Sequence, residues 1–190
     1  MDNTALIVVA VVVIAVVLLA AWWISQRNRS KELHERFGPE YERAVDEVGD
    51  RRRAEAELAA REKRVKELSI RDLSPSERAR FSQSWTEVQA RFVDDPRAAT
   101  IEADNLVGSV MEARGYPVGD FEQRASDISV EHPDLVQNYR AAHGLRQRSD
   151  RGDASTEDLR QALVHYRSLF AELLGEPGAE TDRPADERIA

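Results

Sequence analysis

The sequence predicts an all-α protein with a single N-terminal transmembrane helix, a charged connecting helix and a compact helical bundle. Three observations support this fold class. Residues 5–24 form an uninterrupted apolar segment. Beyond that segment, apolar residues recur at intervals of three and four, which is the period of an α-helix. Alternating runs of β-branched residues, which are typical of strands, are nearly absent.

These patterns divide the chain of 190 residues into five parts. We expect a short N-terminal tail, a transmembrane helix, a charged helical connector, a bundle domain and a disordered acidic tail. In that order, the parts are residues 1–4, 5–24, 25–72, 73–174 and 175–190.

Composition and charge exclude several functional classes. The chain contains no cysteine, which excludes disulfides, thiolate catalysis and cysteine-ligated metal. Its net charge of -8 argues against general binding of nucleic acid, because contact with phosphate backbones needs concentrated positive charge. We therefore expect no nucleic-acid partner.

The apolar segment "ALIVVAVVVIAVVLLAAWWI" predicts a membrane anchor. It carries no charge and no proline, and a helix of this length spans about 30 Å, the thickness of a bilayer core. The N-terminus "MDNT" has no basic residue, and "AAWWIS" is a poor cleavage site. These features favour a retained signal-anchor over a cleaved signal peptide, which is the alternative.

The residues that follow the apolar segment predict how the protein is oriented. Trp22 and Trp23 end the segment, where interfacial aromatic residues are favoured. Arg27, Arg29 and Lys31 come next, and basic flanks remain in the cytoplasm. We expect these five residues at the membrane interface, the lipid bilayer as a partner of the apolar segment, and a cytoplasmic C-terminal domain. A secreted or outward-facing location is the alternative.

The connector is rich in charge and alanine. The Gly-Pro step at 38–39 should end the anchor helix. Residues 40–68 then predict a long, exposed helix with a partial coiled-coil seam. Arg51, Arg52 and Arg53 could contact RNA or lipid, but the surrounding acidic residues favour a solvated, salt-bridged surface.

Capping residues mark the helices of the bundle. Ser74 and Glu77 have the spacing of a capping box, and Ser155 and Asp158 repeat it. Asp95 is placed to cap the helix that begins with the following proline. Each of these positions predicts the start of a helix.

An aromatic stripe predicts the core of the bundle. Phe81, Trp85, Val88 and Phe92 follow one another at spacings of four, three and four, which places them on one face of a helix. We expect the aromatic residues of the stripe to pack on the face of the last helix that runs from Leu159 to Leu173.

The stretch "ARGYPVGDFEQRAS" raises the choice between a ligand loop and a corner. Gly115 suits a left-handed helix cap, Pro117 stops the helix, and Asp120 can cap the next one with Gln123 as its reciprocal partner. Because each unusual residue has a backbone role, we expect a corner. The residues that this loop could present to a protein partner are Tyr116, Pro117 and Phe121.

The four histidines show no metal-binding motif. His34, His132, His143 and His165 have no tight ligand spacing. His143 and His165 lie on successive predicted helices, where they could meet and bind zinc with a carboxylate. Histidines at helix ends or on a surface are the commoner case. We expect no catalytic residue, no cofactor and no metal.

Several long stretches resemble a bacterial family of small, uncharacterised proteins that are described as secreted or membrane-anchored. The resemblance spans residues 33–174. It is carried by "ERFGPEYERAV", "EKRVKELSIRDLSPSERARF", "VQARFVDDP", "ARGYPVGDFEQRASDISVEHPDLVQNYRAAH" and "STEDLRQALVHYRSLF". It implies no activity, cofactor or catalytic residue.

The expected function is that of a membrane-tethered helical scaffold that binds a protein partner. Tethering and amphipathic helices are visible in the sequence, whereas pocket chemistry is not. One alternative is a membrane-anchored hydrolase that uses Asp or Glu with His132, His143 or His165. Another is an outward-facing envelope protein.

Overall fold

A computed structural model describes residues 3–175, although the side chains of many residues before Arg27 are not among those described. Over this part of the chain the protein is all-α, as the sequence predicts, with eight helices and no strand. The helices are α1 (Asn3–Phe37), α2 (Pro39–Val48), α3 (Arg51–Lys66), α4 (Pro75–Asp94), α5 (Pro96–Arg114), α6 (Phe121–Glu131), α7 (Pro133–Asp150) and α8 (Thr156–Leu174).

The predicted membrane span lies within α1. Among the residues that the structure describes, it identifies no helix with the length and hydropathy needed to cross a bilayer. Most side chains of residues 5–24, on which the prediction rests, lie outside the described set, and so does the side chain of Trp22. The predicted acidic tail lies outside it from residue 176 onwards.

The chain forms two compact units, residues 1–59 and 60–190. In the first unit, α1 ends at Phe37 as predicted, with Gly38 at a φ of 48° and Pro39 opening α2. The predicted long, exposed connector is wrong. Gly49 takes a left-handed conformation at φ 71°, its N–H donates to the Val45 carbonyl, and α3 begins two residues later.

Apolar residues of the connector are buried, which is the physical reason for this correction. Glycine adopts the left-handed conformation that a helix end requires, so the break at Gly49 lets two short helices form where one was expected. Among the side chains of the first unit that the structure describes, the buried apolar ones are Leu33, Phe37, Tyr41, Ala44, Ala54 and Leu58. The described connector is therefore two packed helices and not one long, exposed helix.

The second unit contains the predicted bundle, with a core built from α4 to α8. The Trp85 ring stacks on Phe170 of α8, with centroids 4.7 Å apart and planes at 22°. This contact confirms the predicted packing on α8 for Trp85. Phe81 and Val88 are buried with Trp85, whereas Phe92 is half-buried.

The predicted caps are confirmed. Ser74 Oγ accepts from the Glu77 N–H at 3.3 Å, while the Glu77 carboxylate accepts from the Ser74 N–H at 2.9 Å. Ser155 and Asp158 form the same capping box at α8. The Asp95 carboxylate accepts from the Ala98 N–H at 2.9 Å and caps α5.

The stretch around Gly115 is a corner, as predicted. Gly115 has a φ of 100°, and a Cβ there would lie 2.5 Å from the Ser69 carbonyl oxygen. Asp120 caps α6 by accepting from the Gln123 N–H at 2.8 Å. The prediction that Gln123 is the reciprocal partner of Asp120 is wrong, because the Gln123 side-chain amide donates instead to the carboxylate of Asp127.

Candidate functional site

A groove in the first unit collects basic side chains from two helices. It lies between the C-terminal half of α1 and the start of α3 and has a volume of about 820 Å³. Its lining includes Trp23, Arg27, Lys31, Arg51, Arg52 and Glu55. Three of the predicted interface residues, Trp23, Arg27 and Lys31, therefore share the groove with residues twenty or more positions further along the chain.

Glu55 holds the helices around this groove together. Its Oε1 accepts from Ser30 Oγ of α1 at 2.6 Å, from the Tyr41 hydroxyl of α2 at 2.8 Å and from Arg51 Nε of α3 at 3.0 Å. Burial alone would raise the pKa of the Glu55 carboxyl, but the hydrogen bonds from Ser30, Tyr41 and Arg51 outweigh burial and lower it. Glu55 is therefore a carboxylate at neutral pH and fixes the position of Arg51.

The remaining basic residues of the groove differ in their partners. Lys31 forms an ion pair with Glu35 at 3.6 Å. The Arg27 guanidinium lies 4.9 Å from the centre of the Trp23 ring, within the range of a cation–π interaction. Among the described residues, neither Arg27 nor Arg52 has a carboxylate within ion-pair distance. The groove is thus locally positive in a protein of net charge -8.

Two of the arginines that line the groove, Arg51 and Arg52, were not predicted as site residues. The sequence places Arg51 and Arg52 in a charged triplet that we expected to form a solvated surface. The glycine at position 49, two residues before the triplet, was the signal that the chain breaks there. Arg29, which was predicted at the interface, is exposed but does not line the groove.

The predicted partner-contact loop is only partly accessible. Tyr116 is 2% exposed, and its hydroxyl donates to Glu131 Oε2 at 2.5 Å. Burial, followed by the Glu131 hydrogen bond, raises the pKa of Tyr116. Tyr116 is therefore a core residue, and its assignment as a partner contact is wrong. Its burial follows from the same turn that places Gly115 in the left-handed conformation.

Other residues of this loop are exposed. Pro117 is exposed, and Val118 is 77% exposed. Phe121 is half-buried because its ring stacks on His143, with centroids 3.6 Å apart and planes at 4°. The exposed apolar surface of the loop is thus formed by Pro117 and Val118. Sequence reasoning missed Val118, although an apolar residue between a proline and a glycine is a recognisable signal of an exposed turn.

The histidines have separate surroundings in the bundle. His143 Nε2 lies 3.0 Å from the Gln147 amide nitrogen, whereas His165 Nδ1 lies 3.2 Å from Asn138 Oδ1. His132 Nδ1 lies 3.3 Å from Glu172 Oε1. Within residues 3–175, no group of three histidine or carboxylate side chains could hold a metal ion.

His143 belongs to a buried polar cluster. Its Nδ1 lies 3.9 Å from Asp104 Oδ2, and Arg146 Nε lies 3.4 Å from the same oxygen. Burial lowers the pKa of His143, against the opposing effect of the Asp104 carboxylate. Burial and the Asp104 charge raise the pKa of Tyr139 to about 12. The pKa of Tyr166 rises for the same two reasons.

The geometry of this cluster suits a structural role. Asp104 is 7% exposed and His143 is 8% exposed, and the Phe121 ring covers the imidazole. A general base must reach a substrate proton at about 3 Å, and the low exposure of Asp104 and His143 leaves little access for a substrate. The cluster joins α5 and α7 through Asp104 and His143, and the Phe121 ring of α6 stacks on the imidazole.

Comparison with protein-family models, with curated proteins and with solved structures finds no match to this chain.

Proposed function

We propose that the protein is a membrane-tethered helical interaction module. Residues 5–24 anchor it in the bilayer, and the C-terminal domain binds a protein partner at the inner face of the membrane. The main support for the membrane tether is the exposure of large apolar side chains on α1. Two further observations support the orientation of the protein and the way in which it binds a partner.

Apolar side chains of α1 face outward over much of its circumference. Val13, Ile14, Val16, Val17 and Leu19 are each between 55% and 65% exposed. At about 100° per residue, they are spread over roughly 220° around the helix axis. A surface helix of a globular protein needs an apolar stripe of only about 100°, so this wider distribution favours lipid as the surrounding medium.

Basic residues support the orientation. Arg27, Arg29 and Lys31 follow the apolar segment, and Arg51 and Arg52 lie beside two of them in the groove. Basic side chains near the end of a membrane helix favour the cytoplasmic side. The proposed arrangement therefore holds the bundle at the inner face, where anionic lipids attract these residues.

The packing of the bundle favours a partner that binds to its surface. Its large aromatic side chains are buried against one another, as the stacked pair of Trp85 and Phe170 illustrates. Pro117 and Val118, on the loop between α5 and α6, offer exposed apolar surface for a partner. Exposed loop residues held by a rigid scaffold are a common position for recognition.

Affinity purification from solubilised membranes tests the interaction. The tagged full-length chain, a chain lacking residues 5–24 and the variant Val118→Asp are compared by quantitative mass spectrometry. Val93→Asp is the matched control, because Val93 is also exposed, at 82%, but lies at the end of α4. We expect a protein that is enriched with the full-length chain and with Val93→Asp, and depleted with Val118→Asp. Equal recovery with both valine variants contradicts a role for the loop, and no enrichment with any chain contradicts the interaction module.

Reporter fusions at the C-terminus test the orientation. A reporter that is active only in the cytoplasm should be active, and one that is active only outside should be silent. The opposite pattern contradicts the proposed topology and favours an outward-facing protein.

A further inference from the structure

The groove between α1 and α3 combines positive charge with a position next to the proposed membrane span. Its lining has four basic side chains, Arg27, Lys31, Arg51 and Arg52, and two acidic ones, Glu35 and Glu55. Each acid is already paired, Glu35 with Lys31 and Glu55 with Arg51. The positive charge of Arg27 and Arg52 therefore remains available for an anion.

Hydrogen bonds hold the Arg51 side chain in a position from which it can also bind an anion. Its Nε donates both to Glu55 at 3.0 Å and to the Tyr41 hydroxyl at 2.9 Å. Both contacts use the one nitrogen nearest the side-chain stem, and the Arg51 side chain is 64% exposed. A guanidinium fixed at Nε presents its two terminal nitrogens as a fork, which is the geometry that suits phosphate oxygens.

Along α1, the end of the groove at Trp23 and Arg27 lies at the depth of the headgroup region of a bilayer, and Lys31 lies just beyond it. At a rise of about 1.5 Å per residue, Arg27 lies about 4.5 Å beyond the end of the apolar segment and Lys31 about 10 Å beyond it. The polar layer on each side of the hydrocarbon core is about 5–8 Å thick. Trp23, which is 57% exposed, lies at the inner edge of this layer, where an indole ring is favoured.

We propose that this groove binds the phosphate of an anionic phospholipid headgroup, with Arg27 and Arg52 as its principal ligands and Arg51 and Lys31 beside them. This inference rests on the proposed membrane tether, which brings headgroups to the groove. The recognised chemistry is a phosphate ester, and the lipid is favoured over a free phosphate because the groove adjoins the end of the apolar segment.

Quenching by brominated lipids tests the proposal on the full-length chain. The protein is reconstituted into phosphatidylcholine vesicles that contain either brominated phosphatidylglycerol or brominated phosphatidylcholine. The ratio of tryptophan quenching by the two lipids reports the preference of the interfacial tryptophans for an anionic neighbour. Trp85 is 7% exposed inside the bundle and contributes a constant background.

Two double variants that remove the same amount of charge distinguish lipid binding in the groove from general electrostatic attraction between the protein and anionic lipid. Arg27→Gln with Arg52→Gln removes the proposed ligands, whereas Arg53→Gln with Lys63→Gln removes two exposed basic residues of α3 that do not line the groove. We expect the wild type to prefer the anionic lipid, the groove variant to lose about fivefold per arginine, and the control to keep most of the preference. Equal losses in both variants, or no preference in the wild type, overturn the proposal.

Two further measurements identify the source of the phosphate and isolate the tether. Inorganic phosphate is compared with chloride at equal ionic strength, with thermal unfolding in zwitterionic micelles as the readout. Stabilisation that needs Arg27 and Arg52, without any lipid preference, assigns the groove to free phosphate and overturns the lipid assignment.

Vesicle flotation of the same samples separates the two proposals. Protein that floats without lipid preference refutes only the groove, and protein that does not float refutes the tether and, with it, the lipid site.

Discussion

Replacing Glu55 with alanine should open the first unit, because three helices meet at one oxygen of this carboxylate. The hydroxyls of Ser30 and Tyr41 each donate to it, and such bonds to a charged group contribute about 1.5 kcal/mol each. The ion pair with the largely exposed Arg51 adds about 0.5 kcal/mol at most. Together, these contributions give a loss of about 3–4 kcal/mol in the free energy of opening the first unit. The loss is this large because Glu55→Ala also leaves the buried Tyr41 hydroxyl without its acceptor.

Amide hydrogen exchange of the full-length chain measures this loss directly. A decrease of this size should speed exchange of the α2 amides by about 100-fold to 1000-fold. Glu57→Ala is the matched control, since Glu57 lies on the same helix but is exposed, and it should leave exchange unchanged. An increase of less than about tenfold for Glu55→Ala would show that the carboxylate does not join the helices.

The pH dependence follows from the lowered pKa of Glu55. A carboxyl whose pKa is lower in the folded state stabilises the fold above its unfolded pKa of about 4.3, and this contribution is lost as the pH falls through the lower folded value. Protection of α2 should therefore decrease in acid for the wild type, and much less so for Glu55→Ala.

Four further substitutions test the bundle by chemical denaturation. Trp85→Ala should destabilise it by about 3–5 kcal/mol, because it removes the ring that stacks on Phe170, and a loss below about 1 kcal/mol would contradict that packing. Gly115→Ala should destabilise the bundle by about 2 kcal/mol or more, because the φ of Gly115 is 100° and a Cβ there would meet backbone. Gly144 lies in a helix with open space around it, so Gly144→Ala should stabilise the bundle by about 0.5–1 kcal/mol. Similar changes in stability for the two variants would contradict the left-handed corner at Gly115. Burial lowers the pKa of His143, so stability should be highest above about pH 6.5 and decrease below it. His143→Gln should flatten that decrease, and an unchanged pH profile would place the titrating group elsewhere.

Local signals in the sequence were sufficient for most of the helices. A capping box involves residues three positions apart, so Ser74 with Glu77 and Ser155 with Asp158 could be recognised without tertiary information. The same holds for Gly115, because a left-handed helix end favours glycine whatever the rest of the fold. The aromatic stripe of α4 was visible for a similar reason, since helical period alone places it on one face.

Contacts between distant residues account for what the sequence did not reveal. In the connector, Glu55 accepts a hydrogen bond from Ser30, twenty-five positions away, and no local pattern in the charged stretch indicates that pairing. The buried Tyr116 hydroxyl donates to Glu131, fifteen positions away, and the loop sequence does not indicate this contact. The basic flank of the groove was predictable, but Arg51 and Arg52 could join it only once the break at Gly49 was known.

The most direct test of the account is whether α1 resides in lipid. Full-length protein is reconstituted with vesicles and floated through a density gradient at alkaline pH, which strips proteins bound only to the surface. Val13→Lys with Val17→Lys places two charges near the middle of the apolar segment, at about 2.5–3.5 kcal/mol each. Val93→Lys with Val118→Lys makes the same charge change at exposed sites in the second unit. We predict that the wild type and this control float and that the α1 variant remains at the bottom. A wild type that stays at the bottom, or an α1 variant that floats as well as the control, would contradict the membrane tether.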